Sequence, residues 1–532
     1  MDSNHIQILL SIILYLAVVI GVSFYFARRS NANSDSYFIG GRGLGPWVTA
    51  MSAEASDMSG WLLMGLPGVA YWCGISDAAW TAIGLAIGTY INWLLVSQRL
   101  RRYSVVAGNS ITIPDFFSNR YKEGKPVILL FASIFILIFF TVYASSCFVT
   151  GGKLFNAVFG VNYQLAMVLS AIFVIVYTLI GGFLAESTSD FIQSIVMIFA
   201  LASVFIIGTA TAGGPSAVLE NVREIPGFLE FFGIATPTVD PAGLQQLGTA
   251  GEPLFGDAGA YGLLTIISTM SWGLGYFGMP QVLLRFMAIR KLNELRRSRR
   301  IAIIWVVIAL FAAVVIGIIG RSLYPGELLT ASASESIFIH LSTVLLHPIL
   351  AGIVMSGILA ATMSSSDSYM LIASSAVSLN LFKGIFKKDA TDKQIMIISR
   401  VTLIVIAAVG ILFVLDENSV IFTIVSFAWA GFGATFGPLM LFSLFWKRTT
   451  KEGALAGMIG GAAMVFFWKL VLRPLGGVLG IYELLPAFVF SCLLIVIVSL
   501  STKAPSDEIR QEFEKAKDKT LNVDAEEAAD AI

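Results

Sequence analysis

Two acids sit inside an apolar stretch long enough to cross a bilayer. Residues 45–74 read GPWVTAMSAEASDMSGWLLMGLPGVAYWCG, and a spanning helix needs about 20 residues. A carboxylate near mid-membrane costs about 2.5 to 3.5 kcal/mol on insertion scales, so Glu54 and Asp57 call for a cation, a proton or a partner. Ser and Asp compete for backbone hydrogen bonds and Gly adds backbone entropy, which predicts a helix break near Ser56 to Gly60. Irregular backbone at that depth is tolerated only where it lines a cavity or is buried in protein. Carbonyls freed by such a break can bind a small cation, and half-helix N-termini can face anionic groups. Asp57 then either supplies countercharge or orders the break by accepting backbone N–H bonds. The plainer alternative is a structural kink with the acid paired to a distant arginine. Glu54 shares Asp57's face only if the helix persists through both; otherwise it lies nearer water.

A second interruption falls at SWGLGYFGMPQ, residues 271–281. Gly273, Gly275 and Gly278 match G-x-G-x-x-G, but no strand precedes them and no acid follows about 20 positions on, so the dinucleotide reading fails. A helix broken by these glycines and Pro280 fits better. Trp272, Tyr276 and Phe277 would offer flat apolar walls and one hydroxyl, suited to a small ring and, through cation–π attraction, to a cationic nitrogen. The third place is ILAATMSSSDSYMLIASS, residues 358–375, where Thr362, Ser364, Ser365, Ser366 and Ser368 crowd around Asp367. An isolated hydroxyl in a membrane helix bonds its own backbone. Five together, with carbonyls, can form an oxygen cage able to replace the hydration shell of sodium. Asp190, in GGFLAESTSDFIQ, lies near one end of its span and either lines an ion's exit or faces water. The small residues of GALAGMIGG, from Gly453, need no role beyond helix packing.

These segments belong to a membrane chain. Of 532 residues 57% are hydrophobic and 13% charged, against about 25% charged in soluble domains. Zero formal net charge removes a general case for nucleic acid. Cys73, Cys147 and Cys492 fit neither a disulfide framework nor a zinc site, and three scattered histidines make no metal cluster or proton relay. The run at 6–27 lacks a basic leader and is followed by Arg28 and Arg29, so it reads as an uncleaved span. Apolar runs of spanning length continue to 479–500, giving about 13 helices; the run at 339–382 is too long for one straight span. All but Lys153, Arg223, Arg321, Lys469 and Arg473 of the 34 basic residues fall in alternate loops or the tail, which places the N-terminus outside and the C-terminus inside. The acidic loop at 210–260 reads equally as a cap or as a loose connector. The tail suggests a short surface helix before a disordered end.

AEASDMSGWLLMGLPG, the GGRGLGP before it, GGFLA at 181–185, SWGLGYFGMP, ILAATMSSS and SFAWAGFGATFGP together resemble the bacterial sodium/proline symporters of the sodium/solute symporter family. The resemblance implies an all-α membrane protein with a LeuT-type core of two inverted five-helix repeats. It divides the chain into an N-terminal extra helix and cytoplasmic loop at 1–44, a ten-helix core at 45–446, two further helices at 447–502 and a cytoplasmic tail at 503–532. The first core helix would be 45–73, with its counterpart in the helix after 261–284. By the same resemblance Na+ is the coupling ion, held by the carbonyls of Ala55 and Met58 with Ala361, Ser364 and Ser365. Asp57 is the essential acid beside it, and Ser59 and Gly60 complete the motif. L-proline would meet Tyr143, Trp272, Tyr276 and Pro280, and Asp190 would lie on the ion's inward path. Serine at 365 replaces the family's threonine and keeps the hydroxyl, whereas Glu54 stands where glycine is expected. The implied activity is sodium-coupled import of L-proline through the cytoplasmic membrane by alternating access, with no organic cofactor. The alternatives are the same fold with another cargo (another amino acid, pantothenate or an organic acid), a membrane sensor, which would want a signalling domain, and an intramembrane enzyme, which would want a His or Lys base.

Overall fold

The computed structural model describes residues 2–30 and 34–524. The side chains of Arg28 and Arg29, and the chain end beyond residue 524 read above as disordered, lie outside the described residues. The long helices are α1 (Ser3–Ser30), α2 (Pro46–Asp57), α3 (Trp61–Cys73), α4 (Ile75–Val106), α5 (Val127–Phe159), α6 (Tyr163–Ile180), α7 (Phe183–Thr211), α8 (Leu263–Phe277), α9 (Pro280–Ala288), α10 (Leu295–Leu323), α11 (Pro348–Phe386), α12 (Asp392–Phe413), α13 (Ile421–Phe445), α14 (Lys451–Leu475) and α15 (Leu484–Ser501). Among the described residues ten helices are long and apolar enough to cross a membrane, and Trp61–Cys73, Tyr163–Leu179 and Leu263–Phe277 are shorter apolar segments. The long helices α11 and α13 are 83% buried over their most apolar stretch, whereas α1, α12, α14 and α15 are 22 to 33% buried. The first pair therefore forms the centre and the second group the rim.

Proline sets several helix starts. Pro46, Pro280 and Pro348 occupy the first helical position of α2, α9 and α11, where a missing N–H costs nothing and the fixed φ is already helical. Pro348 also explains the overlong run at 339–382. Helix Ile337–Leu345 stops, His347 takes extended backbone at ψ 140°, as a residue before proline does, and α11 begins anew.

The chain crosses back and forth between a face bearing the 212–262 loop, here the cap face, and a basic face. Two runs of five units follow α1: α2–α3, α4, α5, α6 and α7, then α8–α9, α10, α11, α12 and α13. Each opens with a broken helix, the first running from basic to cap face and the second from cap to basic face. The counterpart of the 45–73 helix is therefore the broken helix at 263–288 itself, not the one after it.

The cap is anchored. Ile75 N donates to Phe228 O at 2.8 Å, Ala235 N to Cys73 O at 3.2 Å and Gln245 N to Leu329 O at 2.7 Å, and a two-residue antiparallel pair, Gly233–Ile234 with Gly259–Ala260, closes it. Of the two readings of this loop the folded one holds. On the basic face the tail forms helix α16 (Asp507–Lys517), whose Phe513 is buried beneath Arg99 and Arg120 while Lys122 pairs with Glu508 and Glu512 at 2.9 and 2.7 Å.

Helix α4 meets the second broken helix backbone to backbone: a Cβ on Gly88 would fall 2.2 Å from Gly273 O and one on Gly84 2.4 Å from Met270 O. Gly88→Leu should therefore abolish monodisperse protein or lower the melting temperature in detergent by several degrees, a loss of about 2 kcal/mol or more. Gly21→Leu, with nothing within 4 Å of its Cβ, should leave both unchanged.

Candidate functional site

The first helix breaks where its small polar residues lie. α2 ends at Asp57, Met58 leaves helical geometry at φ −91°, ψ 76°, and winding resumes at Trp61. Ser59 N, which in an unbroken helix would bond Ala55 O, donates to Asp57 O at 3.2 Å, and Leu62 N, the helical partner of Met58 O, donates to Ser59 O at 3.0 Å. The carbonyls of Ala55 and Met58 are thereby released from the helix ladder. Ala55 O accepts instead from Ser364 Oγ at 2.8 Å and Ser365 Oγ at 3.2 Å, and Ser364 Oγ also reaches Ala361 O at 3.3 Å. Gly60 is required by a neighbour, since a Cβ there would sit 2.1 Å from the Thr150 hydroxyl.

The hydroxyl run is part of an unbroken helix, and its five members divide. Ser364 and Ser365 face the freed carbonyl. Thr362 and Ser366 bond their own backbone, at Ile358 O and Thr362 O, the ordinary behaviour of hydroxyls in membrane helices. Ser368 bonds Ser364 O at 3.0 Å and joins a separate ionic cluster.

Asp57 is fully buried and makes no ion pair within 4 Å among the described residues. Its Oδ2 accepts from Tyr276 Oη at 2.7 Å, and its carbonyl accepts from Trp61 Nε1 at 3.0 Å and Tyr143 Oη at 3.4 Å. Asp57 is not paired with an arginine, as the kink reading would have it; through Tyr276 it ties the first break to the second, a contact that the sequence reading did not anticipate. That second break begins with tight 3-10 winding over Ser271–Phe277, passes through extended backbone at Met279 and restarts at Pro280. Side chains take up the carbonyls it frees, with Trp429 Nε1 donating to Trp272 O at 2.8 Å and Asn92 Nδ2 to Tyr276 O at 3.0 Å.

Aromatic rings surround the junction. Trp272 has the rings of Phe422, Tyr482, Trp429 and Trp61 within 5.1 to 6.3 Å, centroid to centroid. Tyr143 stacks on Tyr369 at 4.2 Å. Thus Tyr143, Trp272 and Tyr276 gather around Asp57 and its neighbours. Pro280 does not join them: it lines a small cavity with Ile136, Leu284 and Ile372 toward the basic face.

One turn nearer the basic face lies a cluster that the sequence reading missed. Arg285, wholly buried, donates to Ser52 Oγ at 3.0 Å, Ser368 Oγ at 2.8 Å and Asp190 Oδ2 at 3.2 Å, and pairs with Glu186. Ser52 donates to Asp190 at 2.7 Å. Asp190 therefore does not face water, and Arg285, counted with the loop cations, is internal. The available signal was the i, i+4 spacing of Glu186 and Asp190, which puts both carboxylates on one helix face. Glu54 is likewise buried, at 1% exposure, with Oε1 accepting from Trp93 Nε1 at 3.0 Å, so it does not lie nearer water.

Removing one partner of a buried ion pair costs about 3 to 5 kcal/mol because the other charge is stranded. Arg285→Ala should therefore lower the melting temperature well beyond a surface control such as Arg223→Ala, and Arg285→Lys should recover part of the loss, both read by thermal unfolding in detergent.

Comparison with known proteins follows the same outline. The chain is 42% identical over 495 residues to the "High-affinity proline transporter PutP" of Bacillus subtilis, covering 93% of this chain and 98% of that one. It is 40% identical to the "Osmoregulated proline transporter OpuE" of the same organism, over 94% and 96% of the two chains. To a "Sodium/proline symporter" of Staphylococcus aureus it is 38% identical over 97% of each chain. Among solved structures, a sodium-coupled sialic acid symporter superposes with a TM-score of 0.73 at 16% identity, covering 94% of this chain and 99% of that one. MhsT, solved with L-phenylalanine, superposes at 0.51 and 15% over 86% and 98%; at such identities the likeness speaks for the LeuT-type fold alone. The sequence model of the sodium:solute symporter family matches residues 37–461. The chain is a multi-pass membrane transporter belonging to the sodium:solute symporter family.

Proposed function

We propose that the chain imports L-proline together with Na+ through the cytoplasmic membrane by alternating access. The observation that carries the reading is the Ala55 carbonyl, released by a helix break and met by the hydroxyls of Ser364 and Ser365. Those three oxygens, with the carbonyls of Met58 and Ala361, are hard neutral donors suited to an alkali cation. Sodium there would tie α2 to α11 and fix the backbone at Asp57, Ser59 and Gly60. Through the hydrogen bond from Tyr276 the second break is then fixed as well. Proline would occupy the aromatic junction, its ring against Trp272 and Tyr143 and its carboxylate toward amides of the broken segments, with Tyr276 at the inner side. Sodium and proline would raise each other's affinity by the same factor. Asp190, linked through Arg285 and Ser368 to the Ser364 carbonyl, supports an inward route for the ion past the Arg285 cluster. All thirteen apolar segments would cross the membrane, with the cap outside and the basic face and tail in the cytoplasm.

The test is proline uptake into proteoliposomes with an inward sodium gradient against choline. Accumulation only with sodium supports the reading. Equal uptake refutes sodium coupling, and stronger competition by another amino acid, pantothenate or an organic acid reassigns the cargo. Asp57→Asn should raise the sodium concentration for half-maximal uptake about tenfold or more, at 1.4 kcal/mol per decade, without a matching fall in protein level. Trp272→Ala should weaken proline binding by on the order of 2 kcal/mol, the scale of a buried tryptophan contact, as measured by calorimetry on folded protein.

A further inference from the structure

A cavity of about 210 Å3 lies between α1, α5, α6 and α11, apart from the site described above. Its floor is one stripe of α11, since Leu359, Thr362 and Met363, at i, i+3 and i+4, share a helix face. They are 7, 3 and 2% exposed. Ser364 and Ser365 point instead to Ala55 of α2. Gly151 and Phe155 of α5 and Leu16 of α1 add to the walls, and α6 supplies the rest. The two hydroxyls in the lining are spent on their own helices: Thr362 Oγ1 donates to Ile358 O at 2.7 Å and Ser170 Oγ to Ala166 O at 2.8 Å. Among the described residues no charged side chain lines the space. A buried water needs two or more polar partners, so water is excluded here. Left empty, the lining would forfeit dispersion contacts on one side.

Where the cavity opens determines what fills it. Leu14 of α1 and Leu165, Leu169 and Ile172 of α6 are exposed on spanning helices, and Leu169 also lines the cavity. The space is therefore continuous with the surface that the chain presents to the bilayer. Its lining begins at Val161, in the loop at the cap end of α6, and descends that helix to Val174. At 1.5 Å per residue the descent from Tyr163 is roughly 16 Å, about half of a hydrocarbon core roughly 30 Å thick, which is the depth of one leaflet. The upper end is polar: Asn156 Nδ2 donates to Val161 O and Asn162 caps α6, as suits headgroup depth. We propose that one hydrocarbon chain of a phospholipid in the cap-side leaflet occupies this cavity and rests on Leu359, Thr362 and Met363. The site is separate from the sodium and proline reading and stands without it.

The test reconstitutes the purified full chain in liposomes containing phosphatidylglycerol with a photoreactive diazirine on one acyl chain, and assigns labelled residues by mass spectrometry. A chain inside the cavity should label Leu359, Thr362 or Met363, which lipid on the outer surface cannot reach, besides exposed residues such as Ile404 of α12. Ala166→Phe, whose ring takes up the space, should cut labelling of the floor several-fold and leave Ile404 labelled as before. Should Ala166→Phe not fold, Val161→Trp in the loop at the upper end must have the same effect. Wild-type labelling confined to exposed residues, or unchanged floor labelling in either folded variant, overturns the proposal. Floor labelling by a photoreactive free fatty acid with none by the phospholipid overturns it equally.

Discussion

Breaking a helix inside a bilayer strands backbone groups where water cannot reach them, and each stranded group must find a partner within the protein or in a bound ion. This chain does so twice, and the partners it recruits determine how the surrounding helices lie. At the first break the Ala55 carbonyl draws Ser364 and Ser365 of α11 to α2. At the second, Trp429 of α13 and Asn92 of α4 take the carbonyls of Trp272 and Tyr276. Tyr276 then donates to Asp57, so the two breaks share one hydrogen bond. Five helices, α2, α4, α8, α11 and α13, are fixed relative to one another by groups that an unbroken helix would keep to itself.

The close approach this demands accounts for the glycines. Gly60 makes room for Thr150, and Gly84 and Gly88 let α4 lie against the unwound part of α8. A larger side chain at any of them would push apart elements whose carbonyls must stay within hydrogen-bond reach. The buried Arg285 cluster does similar work nearer the basic face, where one guanidinium links α2, α7 and α11 through Ser52, Asp190 and Ser368. Its cost in desolvation is high, and such clusters are kept for geometry more readily than for stability.

Much of this was legible in the residues. Ser, Asp and Gly at 56–60 announce a break because the short polar side chains compete for backbone hydrogen bonds and Gly adds backbone entropy, and glycines with Pro280 announce the second. Ser364 and Ser365 stood out by type, but periodicity could not separate them from Thr362 and Ser366, which spend their hydroxyls on their own turns. Arg285 was hidden because a cation near a basic loop is assigned to that loop, and only the fold brings Glu186 to it. Glu54 misled for a related reason: an acid beside a predicted break suggests water, and the packing of Trp93 that buries it is a long-range fact. The 339–382 run was ambiguous by length and is resolved by Pro348, a local signal that hydropathy ignores. Membership of the family adds what local chemistry cannot, namely that the two breaks open equivalent halves of one core.

The central claim is that a sodium ion joins the α2 break to the serines of α11. Hydrogen exchange of the full chain, read by mass spectrometry in sodium and in choline, tests it most directly. The account predicts that sodium slows exchange together in peptides covering residues 53–61 and 361–368, and that Ser364→Ala with Ser365→Ala removes both effects. Exchange at 53–61 that is indifferent to sodium, or that still responds in the double variant, would contradict it.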